Sequence, residues 1–152
     1  MPSLTRASLV SLVSDYINDP NDNRWTAAQK QAKIQEAQEQ FVEDSQALTD
    51  TQSFSVVNGT RTYTLATDTL DILRVGLNGV KLRRYSKFDL DILTRGNWAV
   101  TTGTPVAYYV DYTSTNKLLT LYPIPTANDV GSSNLIVEYV KVPPTLSSDS
   151  DQ

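Results

Sequence analysis

The side chains able to do chemistry are few. Two carboxylate pairs lie close in the sequence, Asp68 with Asp71 and Asp89 with Asp91. A paired-acid hydrolase needs two carboxylates about 5–10 Å apart across a cleft, and near neighbours on a loop or short helix do not face each other that way. Turn and capping roles are expected for all four. The chain has no Cys and no His, which removes thiol nucleophiles, disulfides, Cys/His zinc sites and every triad that relies on imidazole. A metal would have to be held by carboxylates and carbonyls. The run Asp19-Pro20-Asn21-Asp22-Asn23 lacks the Gly and the closing Glu of a calcium loop. Asn58-Gly59-Thr60 fits the glycosylation acceptor pattern, but it reads first as a tight turn. No catalytic, cofactor-binding or metal-binding residue is expected, and no cofactor.

What remains is surface chemistry. Lys81 to Lys87, KLRRYSK, is the basic cluster, and a run of this kind usually faces water. The 152 residues carry 13 Lys and Arg against 17 Asp and Glu, a net charge of −4. The first fifty residues hold four basic and eight acidic side chains and the rest hold nine of each, so the whole excess lies in the first third. Affinity for phosphate backbones comes from Lys and Arg, so DNA near this chain is expected to pass without specific binding. Tyr108, Tyr109, Tyr112, Tyr122 and Tyr139 fall on or near the later strands. About half of them are expected in a core, and exposed ones would suit sugar or protein recognition. No apolar run approaches the ~20 residues that cross a bilayer, and MPSLTRASLV lacks the apolar core of a secretory signal. No membrane partner is expected.

Helices come first and strands later. Leu9, Val10, Leu12, Val13, Tyr16 and Ile17 recur at helical spacing, with Ser3 or Thr5 as cap and the turn at Asn18 to Asn23 as stop. Thr26 and Gln29 fit a capping box that opens a second helix running to about Leu48. Its apolar positions, Ala28, Ile34, Ala37, Phe41 and Leu48, make a narrow stripe on an otherwise polar rod. After Asp50 the period becomes that of strands. Asn58-Gly59 and Asn78-Gly79 each predict a two-residue hairpin, with Phe54, Val56, Tyr63 and Leu65 on buried sides. Ser86 caps a short helix over 86–95 whose Phe88, Leu90, Ile92 and Leu93 partly face inward, and Gly96 ends it. VAYYVDYT pairs with KLLTLY, and Leu135 to Val142 is the last strand. Pro123 and Pro125, then Pro143 and Pro144, follow strands that they cannot continue.

The expected fold class is α+β. A helical unit over 1–50 precedes an antiparallel β unit of about six strands over 51–142, and an extended tail covers 143–152. The polar rod reads either as a solvated helix packed on the first helix or as one whose remaining faces meet neighbouring subunits through polar contacts.

The order of these motifs carries a resemblance. R-W-T-A opens a Gln/Glu-rich helix ending in F-V-E-D-S. R-T-Y-T-L, D-I-L-R-V-G-L-N-G-V-K-L, Y-S-K-F-D-L-D, G-T-P-V-A-Y-Y-V-D, L-T-L-Y-P-I-P-T and V-E-Y-V-K-V-P-P-T-L-S follow. Over roughly 20–147 the chain resembles the adaptor, or head-to-tail connector, proteins of tailed bacteriophages. The resemblance implies a non-enzymatic structural protein in the virion neck, assembled in the host cytoplasm. It would form a cyclic homo-oligomeric ring, a dodecamer, joining the portal protein to tail, nozzle or fibre proteins around the channel of genome ejection. In that family the P-P-x-L-S segment runs on into further helices, which implies a shortened adaptor or a piece of one. Subunit or portal contacts are expected at Trp25, Ile34, Phe41, Arg83, Arg84, Pro143, Pro144 and Leu146. The strand tyrosines keep one rival open, a β-rich carbohydrate- or receptor-binding module of a tail or fibre.

Overall fold

The computed structural model describes residues 5–113 and 115–145. Two compact units divide them. One comprises residues 5–48 with 142–145, and the other residues 49–141. The class is α+β.

In the first unit, α1 (Arg6–Tyr16) starts at Thr5, whose hydroxyl accepts from the Ser8 N–H. Helix α2 (Ala27–Ser45) opens with the full Thr26–Gln29 capping box and ends at Gln46 in the left-handed region. It stops short of Leu48 because Gln46 leaves the helical conformation while its N–H still bonds the Val42 carbonyl. The two helices form a hairpin, and α2 is eight residues longer than α1, roughly 12 Å of extra helix.

In the second unit, eight strands are described. They are β1 (Thr49–Val56), β2 (Thr62–Thr64), β3 (Thr69–Leu77), β4 (Val80–Lys81), β5 (Arg83–Arg84), β6 (Ala107–Tyr112), β7 (Lys117–Tyr122) and β8 (Gly131–Lys141). One sheet runs β1-β8-β3-β4 and the other β2-β7-β6-β5. Every pair is antiparallel except β5 with β6. Helix α3 (Lys87–Thr94) follows β5, capped reciprocally by Ser86 and Asp89. Both sheets feed one core. Val56, Ile72, Val75, Leu77, Leu135 and Val137 come from the first, and Tyr63, Tyr108, Leu119 and Leu121 from the second.

The two Asn-Gly turns behave differently. At Asn78-Gly79 both residues have positive φ, 51° and 82°, and β3 pairs directly with β4, as a two-residue hairpin requires. At Asn58-Gly59 only Gly59 has positive φ. There the expected hairpin does not form: β1 pairs with β8 and β2 with β7, in different sheets. The turn closes through the Thr60 N–H to the Val57 carbonyl, and the Gly59 N–H bonds Pro125. It carries the chain across the core, so Val56, Tyr63 and Leu65 are all buried although their strands are not neighbours. VKLRRY crosses between sheets as well. Leu82, buried, separates β4 in one sheet from β5 in the other, which is why the strands number more than six.

Candidate assembly surfaces

The helical hairpin is pinned by a buried cation. Lys30 Nζ donates to Ser14 Oγ at 3.0 Å, to the Asp19 carbonyl at 2.7 Å and to Asp22 Oδ1 at 2.7 Å, and lies 3.4 Å from Asp19 Oδ2. The Asp19 carboxylate in turn accepts the backbone N–H groups of Asn23, Arg24 and Trp25. Burial pushes the Asp19 carboxyl up, but those three N–H groups and the Lys30 charge outweigh it and hold it below its usual 3.8. Burial likewise lowers Lys30, and its bond to Asp22 with the charges of Asp19 and Asp22 more than compensates, leaving it above 10.5. The turn read as a plain stop is thus a built joint. It fixes the backbone at Trp25, whose side chain stays 51% exposed.

The rod itself buries little. The buried residues of α1 and α2 are Ser14, Lys30 and Val42. Of the expected stripe, Ile34 and Leu48 are half-buried, while Ala28, Ala37 and Phe41 are exposed, Phe41 to 65%. Phe41 stands beside buried Val42, one residue and about 100° away round the helix, so this end of α2 is covered on one side and Phe41 lies outside the covered face. Leu12 and Tyr16 of α1 are exposed too. Ile34 lines a groove of about 300 Å³ with Arg6, Ala28, Gln31 and Thr145. Pro143 is buried and Pro144 exposed, so of that pair only Pro144 is free for contact. Leu146 lies outside the described residues.

On the β unit, Arg83 and Arg84 are both exposed, with different partners. Arg84 pairs with Asp71 at 3.3 Å. Arg83 has no acidic partner among the described residues. With Lys81, Val80, Tyr85 and Val106 it lines a groove of about 610 Å³, and Val80 and Val106 stand exposed there. Helix α3 differs from expectation: Leu90 is buried, but Phe88, Ile92 and Leu93 point to solvent. Only one row of an eight-residue helix can reach the sheet. Of the five strand tyrosines, Tyr108, Tyr109 and Tyr139 are buried and Tyr112 is exposed, which leaves little of an aromatic sugar platform.

The carboxylate pairs do structural work. Asp89 caps α3, held low by the Ser86 hydroxyl and N–H. Asp91 accepts from the Trp98 indole, Asp71 meets Arg84, and Asp68 lies 3.5 Å from Lys141. Among the described residues no group of three or more acids is placed to hold a metal, and no helix is long and apolar enough to cross a membrane.

Residues 4–152 match the SU10 adaptor protein family, a phage head–tail adaptor family. The chain belongs to that family. No curated protein matches it at a significant level. The described residues leave apolar side chains exposed at Phe41 on α2, at Trp25, at Val80 and Val106 in the β4–β5 groove and on the outer row of α3. Of the contact residues expected from sequence, Trp25, Phe41, Arg83, Arg84 and Pro144 are exposed and Ile34 is half-buried. Sequence reasoning did not single out exposed Val80 and Val106 beside Arg83, nor the Lys30 joint. A Lys among good helix formers, with its partners across a turn, gives no local signal of burial.

Proposed function

We propose that this adaptor is a non-enzymatic structural subunit of the virion neck, working as a closed ring of identical copies between the portal and the tail, around the path of the ejected genome. The observation that carries this reading is the helical unit. Its joint is fixed by buried polar bonds rather than by a core, yet it holds out Leu12, Tyr16, Trp25 and Phe41. A stable monomer has no use for such a surface, whereas a ring seats it against the next copy. The acidic excess of the first third suits a wall that DNA slides past, since few cations are offered to phosphate there. Host cytoplasm is where assembly would take place, with Trp25, Ile34, Phe41 and Pro144 at subunit or portal contacts. The test is electron microscopy of negatively stained protein, alone and mixed with the portal. Closed rings are expected in at least one sample, and free monomers in both would overturn the reading.

A further inference from the structure

We propose that in the unassembled protein two copies pair through β1, antiparallel about Gln52, so that their two four-stranded sheets join edge to edge. The inference goes beyond the ring reading and does not rest on it. A two-fold contact closes at two copies, whereas a ring repeats one head-to-tail contact, so this pair belongs to the chain before it enters a ring.

The free edge of β1 carries the assignment. This strand ends its sheet, with β8 as its neighbour. The Asn78 N–H bonds the Asn134 carbonyl, and the β3–β8 register sets Leu77 opposite Leu135 and Gly76 opposite Ile136. Antiparallel alternation then turns the backbone groups of Ile136 and Glu138 toward β3, and those of Leu135, Val137 and Tyr139 toward β1. Their partners Phe54, Gln52 and Asp50 spend their own groups on β8. Thr49, Thr51, Ser53 and Ser55 therefore aim theirs away from the sheet, and all four residues are exposed. Of these outward groups the Thr51 N–H is taken by Asp50 Oδ1 at 2.8 Å, and the others have no partner among the described residues.

An edge of this kind is filled by an extended strand of similar length. The other end strands, β4, β2 and β5, have two, three and two residues. Among the described residues the match to the eight of β1 is β1 of a second copy. The strand lacks common guards of an edge: it holds no Pro and no Lys, and its register shifts only past Phe54. It is also self-complementary. Pairing outward groups with outward groups about Gln52 uses Thr49 to Ser55 and sets Thr51 opposite Ser53 and Thr49 opposite Ser55, hydroxyl pairs that favour a sheet. The one charge, Asp50, falls opposite Phe54. The two Asp50 residues then stand four positions apart along the strands, about 13 Å, beyond a Debye length of about 10 Å at 0.1 M salt. Pairing exchanges the Thr51 bond to Asp50 for one to the Ser53 carbonyl of the second copy, and Asp50 keeps Lys141.

The test uses the full chain, which has no Cys, so an introduced thiol is unique. Thr51→Cys and Ser53→Cys proteins, each altered at an exposed position, are mixed, oxidised with glutathione disulfide and weighed intact by mass spectrometry. Dimers holding one of each are expected to outnumber like-with-like dimers roughly fivefold or more. Thr51→Cys mixed with Thr64→Cys, exposed on β2, should give no such excess. Sedimentation velocity of the unaltered chain alone should show monomer passing to dimer as concentration rises. Ser53→Pro removes an N–H that faces away from β8, which an edge strand tolerates. That variant should keep the parent's far-ultraviolet circular dichroism and pair only at roughly tenfold or more higher concentration. A parent that stays monomeric, a dimer that Ser53→Pro leaves unchanged, or mixed links no commoner than with Thr64→Cys overturns the inference. So do β1 amides that gain protection only when portal or tail protein is added, since the edge would then hold a strand of that partner. None of these outcomes removes the ring reading, which falls only if rings are missing both with portal and without it.

Discussion

Lys30 and Asp19 illustrate how far residue type alone misleads. In sequence, Lys30 is one more solvated helix former and Asp19 one more turn acid. In the structure they are 3% exposed each and hold the hairpin together. A carboxyl held below 3.8 in the folded chain contributes stability above its unfolded value and loses that contribution as the pH falls through the folded one. Lys30, held above 10.5, contributes below that value and loses it as the pH rises through the folded one. The joint is therefore strongest between these limits. Far-ultraviolet circular dichroism should show helix loss beginning as the pH drops below about 3.8. Asp19→Asn keeps an acceptor oxygen but no charge. It should melt at a lower temperature than the parent at neutral pH and show a flatter acid limb; an acid limb as steep as the parent's would show that the joint does not depend on this carboxylate. Asn134 is equally silent in sequence. Its amide accepts from the Val56 N–H at 3.0 Å and donates to Asn78 Oδ1 and the Asp129 carbonyl, tying β1, the β3–β4 turn and the loop before β8. No local pattern marks a residue whose partners lie 56 and 78 positions away. It also dictates Gly131, where an added Cβ would sit 2.7 Å from the Asn134 amide nitrogen.

At the level of elements, capping and periodicity were legible and pairing was only partly so. Thr26 and Ser86 cap the helices that the sequence assigns to them, and of the two candidates Ser3 and Thr5 it is Thr5 that caps α1, because a cap is a local device that needs only its own first turn. Strand existence was equally plain, and β6 pairs with β7 as alternation and spacing implied. The two Asn-Gly pairs could not be told apart, since the choice between a hairpin and a crossing is made by the core, not by the turn. That difference is measurable. At Asn78, φ is 51° and the side chain bonds Asn134, so Asn78→Ala should destabilise the chain by about 1–2 kcal/mol from the left-handed strain alone. Asn58 lies outside the positive-φ set, and Asn58→Ala should stay within about 0.5 kcal/mol of the parent. Urea unfolding of the two variants side by side checks the contrast; equal losses would mean both turns demand the same backbone. Helix α3 gives the complementary lesson. Its four apolar positions were expected to face partly inward, yet Leu90 alone is buried, because periodicity says which residues share a face and not which face finds a partner.

For the whole molecule the decisive asymmetry is where the apolar core lies. The buried apolar cluster is drawn entirely from residues 56–137 of the β unit, whereas Val42 is the one buried apolar residue of α1 and α2. Helices of 11 and 19 residues with so thinly packed a face are marginal in water, since tertiary packing supplies most helix stability. The polar joint fixes their geometry but cannot replace that packing, because an exposed Phe41 or Leu12 contributes only when something covers it. The two units should therefore differ in local stability in the free chain and converge on assembly. Amide hydrogen exchange reads this directly. In the unassembled protein, the amides of α1 and of α2 beyond Ile34 are expected to exchange far faster than those of β3, β7 and β8, whose side chains fill the core. If copies meet through the helical surface as proposed, binding there adds to the opening free energy of those helices, and their exchange should slow by tenfold or more while the sheet amides barely change. Protection confined to the sheets after assembly would mean that copies meet elsewhere, and the far end of α2 would then lose its place as the surface that neighbours complete.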